Sequence, residues 1–462
     1  MNNEDKISRR EFLQKFREGA SAAAFGALGV SGQWQLNKLI RKTDPIGRGV
    51  RPWWVKNVAE PTVEIDWDRV KRFDIRNAAR STGFVKYVGE AEVERLNNIR
   101  AENAVMRIKE RADGYTLKDY SLEAAHESIS IERSFLGPQV APTPEERGVN
   151  RWEGDTDNAA KIVRAAMRHF GAATVGFIEL DQRFRKLIYS HDPDGKRLVF
   201  ESVDRAYETE SQRVIPYKAR WVIVYTVQMS LETMKRAPTV IAAQTTSLAY
   251  ARAAYIQAAT QEFIRGLGYQ CIGESSTNAL GIAPAMAVMA GLGELSRLNR
   301  VITPEYGPMV RIFKMITDLP LTPDGPIDAG IMDFCKSCKK CSESCPPAAL
   351  SFHDEPTWEV QGGWNNPGHK AYYENSVRCR TYTREKAGTN CGICFAVCPF
   401  AKDNKVWFHS IVKAMISRAP FLNNYFRSLD DAFSYGAKKE SELWWQLDLP
   451  EYGINTEKTV DE

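Results

Sequence analysis

An excess of charge of either sign is what this chain most lacks: across 462 residues, Lys and Arg number 62 against 58 Asp and Glu. With a net charge of +4 and no long basic run, the sequence has no electrostatic footing for nucleic acid as a partner. It also lacks a repeat of fixed period, and has no low-complexity tract beyond the N-terminus, which excludes solenoids and propellers. Past residue 40, no run reaches the roughly 18 apolar residues of a membrane-spanning helix. What remains is globular in composition, 43% hydrophobic and 26% charged. Its length suits roughly two to four structural units.

Cysteine is present and unevenly placed. Eight of the nine fall between Cys335 and Cys398, while Cys271 stands alone in an apolar stretch and reads as a small buried residue. The first run is Cys335-x2-Cys338-x2-Cys341-x3-Cys345-Pro346, the bacterial ferredoxin spacing, in which three close thiolates hold one iron–sulfur cluster and the fourth ligates a second. The second run, Cys391-x2-Cys394-x3-Cys398-Pro399, is preceded by Cys379 across a stretched interval. By the crossing rule, Cys335, Cys338, Cys341 and Cys398 hold one [4Fe–4S] cluster. Cys345, Cys379, Cys391 and Cys394 hold the other. Zinc ribbons and disulfides suit two complete four-thiol sets, each closed by proline, far less well.

The N-terminus reads as an export signal over residues 1–40. Ser8-Arg9-Arg10-Glu11-Phe12-Leu13 precedes a charge-free, Ala- and Gly-rich stretch from Gly19 to Asn37, too weakly apolar for an anchor. Paired arginines followed by Phe-Leu match a twin-arginine address, which carries already folded, cofactor-loaded proteins. Residues 41–150 then form a Trp- and Pro-rich arm followed by helices, among them Glu90 to Arg111. Residues 151–330 alternate helices and strands, with a charged insertion over about 181–217 and a long Ala-rich helix from Thr239 to Gly266. Strands are expected at Ala173–Leu180, Arg220–Val227, Tyr269–Ile272 and Val310–Asp318, and a helix at Pro284–Leu298. The alternation predicts an α+β core. The cysteine unit occupies 331–405, and an aromatic segment, 406–462, closes the chain.

The twin-arginine start, Thr303-Pro304-Glu305-Tyr306-Gly307-Pro308, Pro326-Ile327-Asp328 and the stretched second cysteine run together resemble the catalytic subunit of respiratory reductive dehalogenases. The resemblance spans essentially the whole chain. Pro52-Trp53-Trp54 and Ile65-Asp66-Trp67 further resemble the chloroethene-reducing members. It implies a nitroreductase-like core binding a base-off corrinoid, joined to a C-terminal ferredoxin-like two-cluster domain. No Asp-x-His-x-x-Gly motif offers a histidine to cobalt from below, which agrees. Carried onto this sequence, the family's proton-donating tyrosine is Tyr250, its active-site arginine is Arg311, and the asparagine that orients the donor is Asn278. The implied partners are a small organohalide, a chlorinated ethene or ethane among them, a small hydrophobic membrane-anchor subunit, an upstream respiratory donor and the export machinery. The implied location is the outer face of the cytoplasmic membrane.

The chemistry is coherent with those residues. Reductive removal of halide needs low-potential electrons and a proton, and a tyrosine is a modest acid that a neighbouring arginine makes stronger. Ser247, Ala254 and Ala258, at helical spacing from Tyr250, are expected to leave room for a flat macrocycle. Two rivals stand beside this reading: an epoxyqueuosine-reductase-like corrinoid and iron–sulfur enzyme, and a non-catalytic electron-transfer subunit. The first would lack an export signal; the second would not need the large region ahead of the cysteines.

Overall fold

The computed structural model describes residues 52, 54–128, 131–402, 407–418 and 420–454, so the twin-arginine segment lies outside the described residues. The centre is a four-stranded antiparallel sheet in the spatial order Thr174–Glu179, Trp221–Gln228, Val310–Thr317, Cys271–Ile272. Trp221–Gln228 is a run of β-branched and aromatic residues, suited to a strand covered on both faces, and all but its ends are buried. Side-chain alternation divides it between two cores. Ile223, Tyr225 and Val227 join one, while Val222 and Val224 join the other. The partner strand divides the same way, with Phe313 and Met315 in the first core and Ile316 in the second. Its register is continuous with Trp221–Gln228, with Arg311 opposite Val227 and Phe313 opposite Tyr225.

Two helices cover the first core. Thr156–His169 begins where the Asp155 carboxylate accepts the Asn158 backbone N–H at 2.7 Å. Val240–Gly266 begins at Thr239, whose hydroxyl accepts from the Ala242 N–H at 3.3 Å. This long helix also grips the loop behind it. The Gln257 side-chain amide donates to the Glu274 carbonyl at 3.0 Å, and that of Gln261 donates to the Cys271 carbonyl at 3.1 Å. Gly273 is required at that contact, because a Cβ there would meet the Gln257 amide at 2.3 Å.

One expected element differs. The helix placed at Pro284–Leu298 spans only Ala283–Met289, and Glu294–Leu295 forms a short strand against Val301–Ile302. The break falls at Gly291-Leu292-Gly293, where Gly291 takes a positive φ of 65°. The charged segment after residue 181 carries a separate three-stranded sheet, Arg197–Glu201, Gln212–Pro216 and Tyr207–Glu208. Arg213 pins it, its guanidinium reaching Asp192 at 2.8 Å, Glu208 at 2.9 Å and Asp194 at 3.0 Å.

The N-terminal arm is stitched to the cysteine region. Lys56–Asn57 pairs antiparallel with Ile327–Asp328, and Ile65 bridges His369. Helix Glu90–Lys109 extends Arg100 and Arg107 onto the Gly388 and Ala387 carbonyls, just ahead of Cys391. Buried Glu294 joins arm, core and cysteines in one contact set. Its carboxylate accepts from the Thr62 hydroxyl at 2.8 Å and from the Ala329 and Ile331 backbone N–H groups at 2.8 and 3.0 Å. The last of these opens helix Ile331–Cys338, a favourable place for an anion. Among the described residues no helix is long and apolar enough to cross a membrane.

Candidate functional site

Strand alternation decides where Arg311 points. It shares the face of Phe313 and Met315, the face covered by the long helix, and its guanidinium donates to the Thr246 hydroxyl at 3.0 Å. Tyr250 lies one helical turn beyond Thr246, half-buried, with its ring edge-on to Phe313 at 5.6 Å. The Arg311 guanidinium sits 5.7 Å from the Tyr250 ring centre and 5.3 Å from that of Phe395. Burial pulls the Arg311 guanidinium below its ordinary value, and Tyr250 opposes that shift. It remains a cation at physiological pH.

A cavity of about 650 Å³ opens in front of this pair. Tyr250, Arg311 and Asn278 all line it, so the three residues carried over by resemblance meet at one cavity. Asn278 occupies the left-handed region with a φ of 59°, a conformation that asparagine tolerates better than most side chains. Its loop is held by the Gln257 contact and by buried Glu274, which pairs with buried Lys314 at 2.5 Å and with Arg133 at 4.0 Å. Arg133 in turn donates to the Tyr250 carbonyl at 3.1 Å. The donor helix and the Asn278 loop therefore share one buried charged support.

Thiols line the same cavity. Cys345, Cys379, Cys391 and Cys394 line the cavity; Cys335, Cys338, Cys341 and Cys398 do not. The electrostatic neighbours fall into the same two groups. After burial, which acts most strongly, Cys398 is raised by Cys335, Cys341 and Cys338. Cys394 is raised by burial, then by Cys391 and Cys379, with Cys341 following as a link between the groups. Burial pushes Cys338 up to about 12, and Cys341 and Cys391 to about 11, so a metal must displace firmly held protons to bind them. Among the described residues no three His, Cys, Asp or Glu groups converge as one metal ion requires. A cubane spreads its four thiolates more widely than a single ion does, and two foursomes of soft donors suit it.

The helix face turned to the cavity differs from the expected one. Ala242, Ala243 and Thr246 line it with Tyr250, whereas Ser247, Ala254 and Ala258 do not. The expected trio lies to one side of Tyr250 on the helical wheel, and Ala254 is buried against the core. Val63, Ile65 and Trp67 of the arm supply apolar wall, while Trp54 is buried outside it. Buried donors remain without partners at Arg311 Nε and Arg380 Nε, both on lining residues. An apolar wall with unmet donors fits a large flat ligand with polar edges, such as a corrinoid.

Several site residues carried no recognisable signal in the sequence. Thr246 could have been found as the residue one turn before Tyr250. Arg80 and Arg300 could not, since each is brought to the cavity from a remote segment, and Glu374, though close to Cys379 in sequence, carries no motif that marks it. Arg80 donates to Cys379 Sγ at 2.8 Å and meets Glu374 at 3.3 Å, while Arg300 meets the other Glu374 oxygen at 2.5 Å. Burial raises the Glu374 carboxyl, but Arg300 and Arg80 outweigh it and hold the group below its ordinary value.

Comparison with known proteins identifies the family. The family model "Reductive dehalogenase subunit" matches residues 50–129 and 125–321. A tetrachloroethene reductive dehalogenase from Sulfurospirillum multivorans is 31% identical, over 99% of this chain and 96% of its own. A solved reductive dehalogenase described as B12-dependent shares the fold, with a TM-score of 0.62 and 23% identity over 88% of this chain. The chain spans about half of that structure's length, 53%. An epoxyqueuosine reductase of Bacillus subtilis matches over only 27% of the chain. The chain is a mixed α+β protein that belongs to the reductive dehalogenases, a family of enzymes acting on carbon–halogen bonds.

Proposed function

We propose that this chain removes halide from a small organohalide, a chlorinated ethene or ethane, as the terminal step of an anaerobic respiration. One observation carries the reading: a single cavity is lined by Tyr250, Arg311 and Asn278 and also by the four thiols of the second set. Proton donor and electron entry thus face the same space.

The eight thiolates would hold two [4Fe–4S] clusters, which supply one-electron transfer, in a C-terminal unit of ferredoxin-like character. The cavity would hold a base-off corrinoid in a nitroreductase-like core, and that group, when bound, supplies a cobalt centre able to attack a carbon–halogen bond. Replacing halide by hydrogen takes two electrons and one proton and releases one halide ion. The chain's own residues supply the proton and the enclosure. The Tyr250 hydroxyl gives up the proton, and the Arg311 cation, fixed by Thr246, stabilises the phenolate left behind. Asn278 orients that hydroxyl from the adjoining loop. The apolar surface of Val63, Ile65 and Trp67 suits a substrate with little to hydrogen-bond.

Export by Arg9 and Arg10, attachment through a small hydrophobic membrane-anchor subunit and delivery of electrons by an upstream donor complete the proposal. Anaerobic purification followed by metal analysis, with a panel of haloalkenes and haloalkanes under reduced viologen, tests it. Iron, cobalt and halide release together are expected. Iron without cobalt, and no halide release, would leave only an electron carrier.

A further inference from the structure

Two guanidinium groups adjoin the two cysteine sets, and they are used differently. Arg297, buried beside the first set, directs its donors to carbonyls: Cys335 at 2.8 Å, Ser351 at 2.9 Å, His353 at 2.7 Å and Lys336 at 3.1 Å. Arg80, beside the second set, donates to a sulfur, Cys379 Sγ, at 2.8 Å. It arrives from the arm, 299 residues away in sequence. Although 39% of the Arg80 side chain is accessible, it lines the cavity, so that surface adjoins the ligand space. Glu374, its side chain 3% exposed, accepts from the same Arg80 Nη1 and is itself paired with Arg300.

We propose that Arg80 sets the reduction potential of the cluster held by Cys345, Cys379, Cys391 and Cys394. A one-electron reduction adds negative charge that the thiolate sulfurs share. A charge-assisted N–H···S bond stabilises the reduced form more than the oxidised one, and so raises the midpoint potential. Glu374, a buried anion next to the same ligand, acts with the opposite sign. The two together hold the cavity-side cluster at a potential that neither would give alone. The step is one electron taken from a low-potential one-electron donor, with no proton and no bond broken. The inference rests on the cluster assignment proposed above.

The test is a redox titration of the purified holoenzyme, with dithionite and viologen mediators, followed by electron paramagnetic resonance. Arg80→Gln is expected to keep wild-type iron and sulfide while one cluster's midpoint moves to more negative potential and the other's stays. Arg80→Lys, which keeps the charge but loses the planar donor fork, is expected to shift the same signal by less. Glu374→Gln is expected to move that signal the other way, and it keeps the question answerable if Arg80→Gln fails to assemble. Cys379→Ser identifies the signal, by altering the same one. Unchanged midpoints in Arg80→Gln and Glu374→Gln, or equal shifts of both clusters, would overturn the role of Arg80. A wild-type protein without two cluster signals would instead overturn the cluster assignment.

Discussion

The two cysteine sets have the same chemistry and nearly the same spacing, yet they occupy different environments. Cys335, Cys338, Cys341 and Cys398 are buried at 5 to 8% exposure, among the Phe334 and Phe400 side chains of the main core. Cys345, Cys379, Cys391 and Cys394 are all only partly buried, and all line the cavity. Under the proposed cluster assignment, two similar sets take unequal positions, one insulated and the other open to the cavity. The connection between them is short in space, since Cys341 acts on Cys394.

The largest expected effect comes from breaking that asymmetry. Cys394→Ala should abolish halide release with reduced viologen. Cys338→Ala should leave a measurable fraction, because a small reductant can still reach the cavity-side cluster. Iron content together with dehalogenation rate checks this, and equal losses would show that the sets are not ordered as proposed. Next in size is Tyr250→Phe, expected to keep iron and cobalt and lose about 10²- to 10⁴-fold in kcat, the usual contribution of a positioned proton donor. Full activity would remove Tyr250 from that role.

Thr246→Val sharpens the comparison at the Arg311 side of the cavity. It removes the hydroxyl that accepts from Arg311, worth about 1 to 2 kcal/mol, so kcat should fall roughly tenfold while the cluster signals stay unchanged. The smallest effect concerns pH. His369 also lines the cavity, and burial lowers it from 6.5 to about 4. The unfolded chain therefore takes up this proton first as pH falls. The stability tied to His369 is fully present above pH 6.5 and is lost as pH falls toward 4. Denaturant melts of the wild type and His369→Gln should converge across that window, the variant having the flatter profile.

Much of the frame was legible without coordinates. The helices at 156–169 and 240–266 and the strands at 174–179, 221–228 and 310–317 announce themselves by apolar period, because each buries a face against the same sheet. The helix expected over 284–298 misled because its apolar content hides a pair of glycines that turn the chain into a short strand. Small residues around Tyr250 were also a poor guide. Size alone does not say which side of a helix faces a cavity and which faces the core.

By itself the sequence placed eight thiols at ferredoxin-like spacing, on which the proposed division into two crossed ligand sets rests, and family resemblance carries the roles proposed for Tyr250, Arg311 and Asn278. Ligand spacing is local, and a motif of a few residues carries it whole. Only the tertiary structure decided which set faces the reaction space, that Thr246 steadies Arg311, and that Arg80 and Glu374 reach Cys379. The Arg80 and Thr246 contacts join segments 299 and 65 residues apart, and no local pattern encodes a meeting that depends on how the arm, the core and the cysteine region pack together.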